Sequence, residues 1–236
     1  MIEPCSTRSG TALEAEAATR KGYSHACNED AYMVNIAAGL FALADGMGGH
    51  RDGHVASNII METLERTMSA GDSFENRVST ATQAIEIANR VLYGTDYPPG
   101  SDKPYEEISG ATVLALIVGE TQACCLWAGD SRLYMLRDGF LYLVSEDHTA
   151  SNGALTRAVG SSREVRIDRR TIDIMDGDIF LLCSDGLLKG MKEADIAGFL
   201  HGGGEALGDR MLAKAIAGGS TDDITVILVW VGRDER

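Results

Sequence analysis

The sequence predicts an α+β fold of two packed antiparallel sheets flanked by helices, a four-layer αββα sandwich. The first observation is the order of elements: strands, two helices, a long series of short strands, two further helices and a last strand. The second is that some strands alternate apolar and polar residues while others are apolar throughout, which suits two packed sheets beneath helices. The third is size, because 236 residues with 44% apolar content suit a single domain, 1–236, with a substantial core.

The N-terminal half predicts a strand, a hairpin and two helices. Apolar residues alternate with glutamates over 13–17, which indicates a half-exposed strand. Gly39 separates two apolar runs and predicts a hairpin turn. Apolar residues three and four apart predict the helices, the second capped by Asp72 or Ser73 and ended by Gly94. The expected ranges are 31–36 and 40–44 for the hairpin, and 55–68 and 73–93 for the helices.

The C-terminal half predicts mainly strands. Residues 95–109 contain three of the four prolines and are expected to form a surface loop within one domain. The strands expected after it are 111–118, 122–128, 132–137, 140–144, 164–174 and 179–183. Helices at 192–200 and 205–217 should precede the final strand, ITVILVWV.

Composition excludes several classes of function. The 21 basic and 35 acidic residues give a net charge of -14, which opposes binding to nucleic acid and to anionic membranes. Five cysteines without paired spacing are typical of a reducing compartment, so we expect a cytoplasmic protein. The N-terminus has no apolar segment of the signal-peptide kind, and no apolar run is long enough to span a bilayer.

Aspartates stand within one or two residues of one end of five predicted strands. They are Asp30, Asp45, Asp130, Asp185 and the pair Asp222 and Asp223. Side by side, these strand ends would gather carboxylates at one rim of the sheets, where like charges raise one another's pKa. Divalent cations relieve that repulsion, and oxygen ligands suit magnesium, manganese or calcium. Taken singly, each Asp-Gly could be only a turn, as we interpret Asp138, Asp176 and Asp178.

The stretch DGMGGHRDGH, residues 45–54, places four glycines between an apolar strand and a helix. A surface loop is one explanation. The other is a loop whose backbone approaches a metal ion or a phosphate, because glycine leaves room for such an approach. The composition of the stretch does not separate the two.

Eight segments occur in an order that is similar to a known family. They are NEDAYMV (28–34), ALADGMGGH (42–50), SGATVLALIV (109–118), WAGDSRLYMLRDG (127–139), EDHT (146–149), LTRAVG (155–160), DGDIFLLCSDGL (176–187) and STDDITVILV (220–229). Together they resemble the bacterial form of the metal-dependent serine/threonine protein phosphatases of the protein phosphatase 2C type, the PPM family. The resemblance runs from about residue 10 to 232 and implies a β-sandwich with helices on both outer faces.

The resemblance also implies a centre of two manganese or magnesium ions between the sheet ends. By position, Asp45 would bridge both ions and the Gly46 carbonyl would bind one of them. Asp185 and Asp222 would be further ligands, and Asp30 would act directly or through bound water.

Three other positions follow from the same resemblance. Bacterial members often bind a third metal, which Asp130 would hold together with Asp185. Glu29 would contact the metal ligands and hold them in position without binding an ion itself. Asp223 stands where the family usually has asparagine, so it is assigned support, and the ligand role goes to Asp222.

Three histidines are less settled by the pattern. His25 stands where the family has a phosphate-binding arginine, which implies weaker, pH-dependent phosphate binding unless Arg20 or another arginine reaches the site. His50 is expected either to protonate the leaving serine oxygen or only to fix the loop. His54 is expected to be solvated in the first helical turn.

The resemblance also implies an open site. Only TASNGA lies between His148 and Leu155, where bacterial members carry a longer flap.

The function implied is hydrolysis of phosphoserine and phosphothreonine in proteins, by direct attack of a metal-bound hydroxide and with no phosphoenzyme. Asp45, His50 and His25 are the catalytic candidates. Phosphorylated proteins are the expected partners, with a cognate serine/threonine kinase, and a monomer is expected. Two alternatives stay open: a non-catalytic phosphoprotein-binding module on the same fold, and a calcium-binding structural domain.

Overall fold

Two antiparallel sheets packed face to face form the centre of the chain. The computed structural model describes residues 5–6, 11–23, 26–47, 53–94 and 109–233. The strands are β1 (Cys5–Ser6), β2 (Thr11–Arg20), β3 (Asp30–Asn35), β4 (Leu40–Met47), β5 (Gly110–Ala111), β6 (Val113–Val118), β7 (Gln122–Ala128), β8 (Arg132–Arg137), β9 (Phe140–Leu143), β10 (Asp168–Asp173), β11 (Ile179–Cys183) and β12 (Ile224–Arg233). The α-helices are α1 (Gly53–Thr67), α2 (Phe74–Tyr93), α3 (Asp185–Gly190), α4 (Glu193–Gly202) and α5 (Leu207–Ala217).

The order of strands explains how distant segments meet. One sheet has the order β1-β2-β12-β11-β8-β9, and the other has β10-β7-β6-β4-β3 with β5 paired to β4. The pairings within both sheets are antiparallel. The last strand, β12, lies between β2 and β11 and so joins the N-terminal strand to the C-terminal half.

Buried apolar side chains form three layers. The middle layer, between the sheets, includes Phe41, Leu114, Phe180 and Ile227. An outer layer beneath α1 and α2 includes Leu40, Ile60, Ile85 and Ile117. The other outer layer, beneath α3, α4 and α5, includes Leu181, Leu187, Ile196, Leu212 and Leu228. Apolar residues on one face of each strand pack between the two sheets, and those on the other face pack beneath the helices. The predicted αββα sandwich is therefore confirmed.

The N-terminal hairpin and the second helix agree with the sequence. Gly39, with a φ of 59°, turns the chain between β3 and β4. The Ser73 hydroxyl accepts a hydrogen bond from the Asn76 amide at 3.3 Å and caps α2, which ends at Gly94. No helix among the described residues is long and apolar enough to cross a membrane.

One helix was not predicted, and two strands differ from the expected ranges. Helix α3 begins at Asp185, where the Asp-Gly pair had indicated a strand end and a turn; burial of Leu187 in the outer layer favours the helix. The strand expected over 164–174 is reduced to β10. The strand expected over 111–118 is interrupted at Thr112, whose amide donates to the Asp45 carbonyl at 2.8 Å.

Candidate metal centre

Two of the predicted aspartates face each other within one sheet. Asp30 and Asp45 are directly opposite in the register of β3 and β4. Residues opposite each other in an antiparallel pair project from the same face of the sheet, so the two side chains are neighbours. The hairpin pattern in the sequence therefore brings these two carboxylates together.

The other three candidates lie at one end of the second sheet. Cys183, the last residue of β11, pairs with Arg132 of β8 and with Val226 of β12. Asp185 follows β11 by two residues, while Asp130 and Asp222 each precede their strand by two. The Ser184 hydroxyl donates to Asp30 Oδ2 at 2.9 Å and connects this group to the first sheet.

The charges of the other four carboxylates all act on Asp45. Burial raises the pKa of Asp45 well above its ordinary value, and the charges of Asp30, Asp185, Asp222 and Asp130 raise it further. Burial raises the pKa of Asp30 to about 7, against the hydrogen bonds it accepts from two hydroxyl groups. Burial, followed by the charge of Asp185, raises the pKa of Asp130 to about 6. Carboxylates with such pKa values lack sufficient positive charge nearby.

The donor atoms fit a hard cation. Asp30 Oδ1 and Asp185 Oδ1 are buried and have no hydrogen-bond partner among the described residues. Buried polar atoms are nearly always partnered, so two such oxygens in one acidic site indicate a place for cations. No three acidic, histidine or cysteine side chains in the described ranges converge closely enough to enclose an ion alone. Magnesium and manganese keep several waters, and backbone carbonyls can complete the ligands.

A lysine that the sequence analysis missed enters the same site. The Lys189 ammonium lies 2.7 Å from Asp185 Oδ2 and contacts Asp222 Oδ2. Partial burial lowers the pKa of Lys189, but the hydrogen bonds to the two carboxylates outweigh it and keep the group charged. Asp185 and Lys189 are four residues apart, a spacing that would have suggested contact only if α3 had been predicted.

Asp223 holds the segment that leads to Asp30. Its Oδ1 accepts a hydrogen bond from the Gly22 amide at 2.7 Å, and its Oδ2 accepts one from the Glu29 amide at 2.8 Å. The side chain is buried, and each oxygen thereby satisfies a backbone donor. A carboxylate suits this position because it offers two acceptors. The supporting role expected for Asp223 stays a prediction, which these two hydrogen bonds favour.

Two glycines allow α1 to approach the site. A Cβ on Gly46 would overlap the backbone carbonyl of Gly53, and a Cβ on Gly53 would lie 2.6 Å from Glu29 Oε2. The Gly46 amide donates to the Glu29 carbonyl at 3.1 Å. Glycine at position 46 is therefore required by contact with the Gly53 backbone, and glycine at position 53 leaves room for the Glu29 side chain beside the candidate metal ligands. The expected approach of the Gly46 backbone to a metal stays a prediction.

Comparison with known proteins decides the family. The protein phosphatase 2C family model matches residues 19–217. The chain belongs to the protein phosphatase 2C family. The serine/threonine phosphatase Stp of Listeria innocua is 29% identical, over 92% of this chain and 95% of Stp. The serine/threonine protein phosphatase PstP of Mycobacterium tuberculosis is 28% identical over 93% of this chain, which spans 45% of PstP.

Solved structures agree in fold. PppA, described as a key regulatory component of T6SS in Pseudomonas aeruginosa, has a TM-score of 0.81 and 30% identity, over 93% of this chain and 97% of PppA. The catalytic domain of PstP in complex with two manganese ions has a TM-score of 0.76 and 28% identity, over 94% of this chain and 99% of that domain. The phosphatase 2C relatives therefore include one that holds two manganese ions.

Within this family framework, the histidine predictions have mixed outcomes. His25 and His50 lie outside the described residues, so their roles stay predictions. Arg20 is exposed at the end of β2, opposite Ile224. The expectation that His54 is solvated was wrong, because it is half-buried and its Nδ1 is buried without a partner among the described residues.

A tight turn connects His148 to Leu155. Thr149 and Leu155 form an antiparallel bridge, and the Ala150 amide donates to the Ala154 carbonyl at 2.8 Å. The segment between His148 and Leu155 is therefore compact, and the open site expected beside it stays a prediction.

A buried histidine network in the EDHT segment fixes the backbone before Asp130. His148 Nδ1 accepts a hydrogen bond from the Gly129 amide at 3.1 Å, and the His148 amide donates to the Gly129 carbonyl at 3.0 Å. His148 Nε2 lies 3.1 Å from Asp168 Oδ2, and Arg157 donates to Asp168 Oδ1 at 2.8 Å. Arg157 Nη1 also lies 3.1 Å from His148 Nε2, and because a guanidinium only donates, Nε2 has one donor and one acceptor as neighbours. This network could not be recognised from the sequence, because Asp168 lies in β10, 20 residues further along the chain.

Proposed function

We propose that this chain is a metal-dependent protein serine/threonine phosphatase that hydrolyses phosphoserine and phosphothreonine. The observation that carries the proposal is the pairing of Asp30 opposite Asp45, together with two buried carboxylate oxygens, on Asp30 and Asp185, that lack a partner among the described residues. An oxygen-only site of this kind suits manganese or magnesium. Two such ions, with a third at Asp130, would acidify a water molecule and polarise the phosphoryl group.

Residues from both sheets would bind the metal ions. Asp45 and the Gly46 carbonyl lie at the end of β4 and would hold ions from the first sheet, together with Asp30 opposite. Asp185 and Asp222 would hold them from the second sheet. Carboxylates from both sheets would thus fix the ions at the rim, where an incoming phosphoryl group meets them from the solvent side.

Other residues would support the ligands or meet the substrate. Asp223 anchors the backbone of Glu29 and so positions Asp30. His50 is proposed to donate a proton to the leaving oxygen, and His25 to replace the usual phosphate-binding arginine. A partly charged imidazole binds phosphate more weakly than a guanidinium, so we expect a raised KM for phosphopeptides.

The short turn over 149–155 supports a protein substrate. With no flap over the carboxylates from this segment, a phosphorylated side chain on a folded protein or an extended peptide could reach the ions. Phosphorylated proteins and a cognate kinase are the proposed partners. We further propose that residues 1–236 form a single domain that acts as a cytoplasmic monomer. Its net charge of -14 and cysteines without paired spacing support the proposed location.

The test is release of phosphate from a phosphothreonine peptide by the wild type and Asp185→Asn, with manganese, calcium or chelator. Asp176→Asn is the matched control, because Asp176 is exposed in a turn. We expect activity with manganese that Asp185→Asn loses and Asp176→Asn keeps. Manganese binding without phosphate release would favour the phosphoprotein-binding module. Stabilisation by calcium without hydrolysis would favour the structural domain.

A further inference from the structure

Lys189 connects two candidate metal ligands that come from different parts of the chain. Asp185 is the first residue of α3, and Asp222 precedes β12. The Lys189 ammonium lies 2.7 Å from Asp185 Oδ2 and contacts Asp222 Oδ2. One protein cation therefore neutralises oxygens that a divalent ion between these two carboxylates would use.

The contact with Asp222 distinguishes this arrangement from an ordinary helix pair. Acid and lysine four residues apart on a helix surface are common and contribute little. A helix pair alone would leave the ammonium in solvent beside Asp185. Here the ammonium also reaches a carboxylate more than thirty residues along the chain, so it lies between the two ligands.

The lysine side chain can also leave. Its exposed fraction is 47%, which means that solvent adjoins it, and its flexible four-carbon stem allows the ammonium to move outward. By contrast, Asp185 Oδ1 is buried without a partner in the described ranges and stays in place to receive a cation. The two oxygens of Asp185 thus face different surroundings, one paired with Lys189 and the other without a partner in the part of the chain that the structure describes.

We propose that Lys189 is an internal cation that competes with the divalent metal for Asp185 and Asp222. The inference rests on the proposed metal site. When a metal binds, the ammonium withdraws from both carboxylates; when metal is scarce, it returns and limits their repulsion. Lys189 therefore raises the metal concentration at which the site fills and stabilises the protein when metal is absent. The enzyme would respond to the supply of manganese or magnesium.

The test compares the wild type with Lys189→Met, Lys189→Arg and Lys192→Met. Lys192 is an exposed lysine three residues away, at the start of α4, so Lys192→Met makes the same change in net charge. Manganese binding is measured by titration calorimetry at neutral pH, and melting temperature is measured in excess chelator. Far-UV circular dichroism of each variant reports whether it is folded.

We expect Lys189→Met to bind manganese about tenfold more tightly than the wild type, a factor equal to about 1.4 kcal/mol. In chelator it should melt about 2–4 °C lower, the shift for a loss of roughly 1 kcal/mol in a domain of this size. Lys189→Arg keeps the charge and should melt like the wild type in chelator. Lys192→Met should match the wild type in affinity.

The affinity of Lys189→Met decides the matter. An affinity equal to or weaker than that of the wild type and Lys192→Met would overturn the inference and leave the proposed function standing. Absence of manganese binding in all four proteins would overturn both. Because neither measurement depends on catalysis, a failure to hydrolyse phosphopeptides does not affect the result.

Discussion

Asp30 and Asp45 lie directly opposite each other across β3 and β4, and Asp30 Oδ1 is buried without a hydrogen-bond partner among the described residues. Like charges at directly opposite positions of a sheet are destabilising. Burial at this position raises the pKa of both carboxyls, so the fold holds them at a cost that a bound cation would remove. The arrangement of these two carboxyls therefore favours cation binding and lowers the stability of the protein without a cation.

Replacing Asp45 should increase stability in the absence of metal and reduce phosphatase activity in its presence. In chelator, Asp45→Asn should raise the free energy of unfolding by about 1 kcal/mol, because it removes a carboxyl whose burial opposite Asp30 is unfavourable. With manganese present, phosphate release should fall by more than about 100-fold, beyond the loss typical of residues that only support a ligand. Denaturant melts with and without manganese, and phosphate release, measure both effects. Asp176→Asn is the control, and lower stability of Asp45→Asn in chelator would contradict the prediction.

Replacing Asp223 should act through the backbone. Asp223→Asn leaves one acceptor for the two amides of Gly22 and Glu29, and its NH2 group would face a second donor. Leaving a buried donor unsatisfied costs about 1–3 kcal/mol, so the variant should be less stable by that amount, with or without manganese. Denaturant melts measure the loss. Stability equal to that of the wild type would show that the backbone segment is held by other contacts.

Substitution of Gly46 tests whether α1 must pack closely against the end of β4. A Cβ there would overlap the Gly53 backbone, which a side-chain rotation cannot relieve, so Gly46→Ala should cost about 1–3 kcal/mol. Gly71 is the matched control, because a Cβ on it would meet nothing within 4 Å. Gly71→Ala should therefore change stability by less than about 0.5 kcal/mol. Equal melting temperatures for the two variants would contradict the packing argument.

Asp168 should make stability depend on acid pH. Burial alone would raise its pKa, but hydrogen bonds from His148 and Arg157 outweigh burial and hold the pKa below its ordinary value of 3.8. A carboxyl with a lowered pKa in the folded state stabilises fully above the unfolded value, and the contribution disappears as pH falls through the folded value. Asp168→Asn should therefore be less stable than the wild type at pH 7, with a smaller difference near pH 3.

Urea melts of the wild type and Asp168→Asn at both pH values measure this difference. Asp176→Asn provides the comparison for loss of an exposed carboxylate. A difference that is the same at pH 7 and pH 3 would mean that Asp168 contributes through packing and not through its charge.

Local pattern was enough to predict most elements of the fold. The hairpin around Gly39 and the helix that starts after Ser73 depend on residues close in the chain, so their turn and cap were visible in sequence. Helix α3 was missed because its six residues carry an Asp-Gly pair that is equally suited to a turn. Burial of Leu187 against the outer core, which no local rule contains, favours the helix.

The candidate site was predicted in part for the same reason. Aspartates at strand ends could be recognised because strand ends are local features, and their joint occurrence indicated a cation site. The partners of those residues could not be recognised from the sequence. Asp223 binds amides about 200 positions earlier in the chain, and His148 pairs with Asp168, which lies 20 residues further along the chain.

The sequence by itself determined which carboxylates could form a site, the family to which the chain belongs, and the α+β arrangement of its elements. Only the tertiary structure decided what surrounds those carboxylates: Lys189 between Asp185 and Asp222, Asp223 beneath the Glu29 backbone, and Gly53 against Gly46. Periodicity and turn chemistry act over a few residues, whereas these contacts arise when sheet register and packing bring distant segments within a few ångströms. The amino-acid sequence specifies the charge of each residue, but the tertiary structure determines which residues lie next to it.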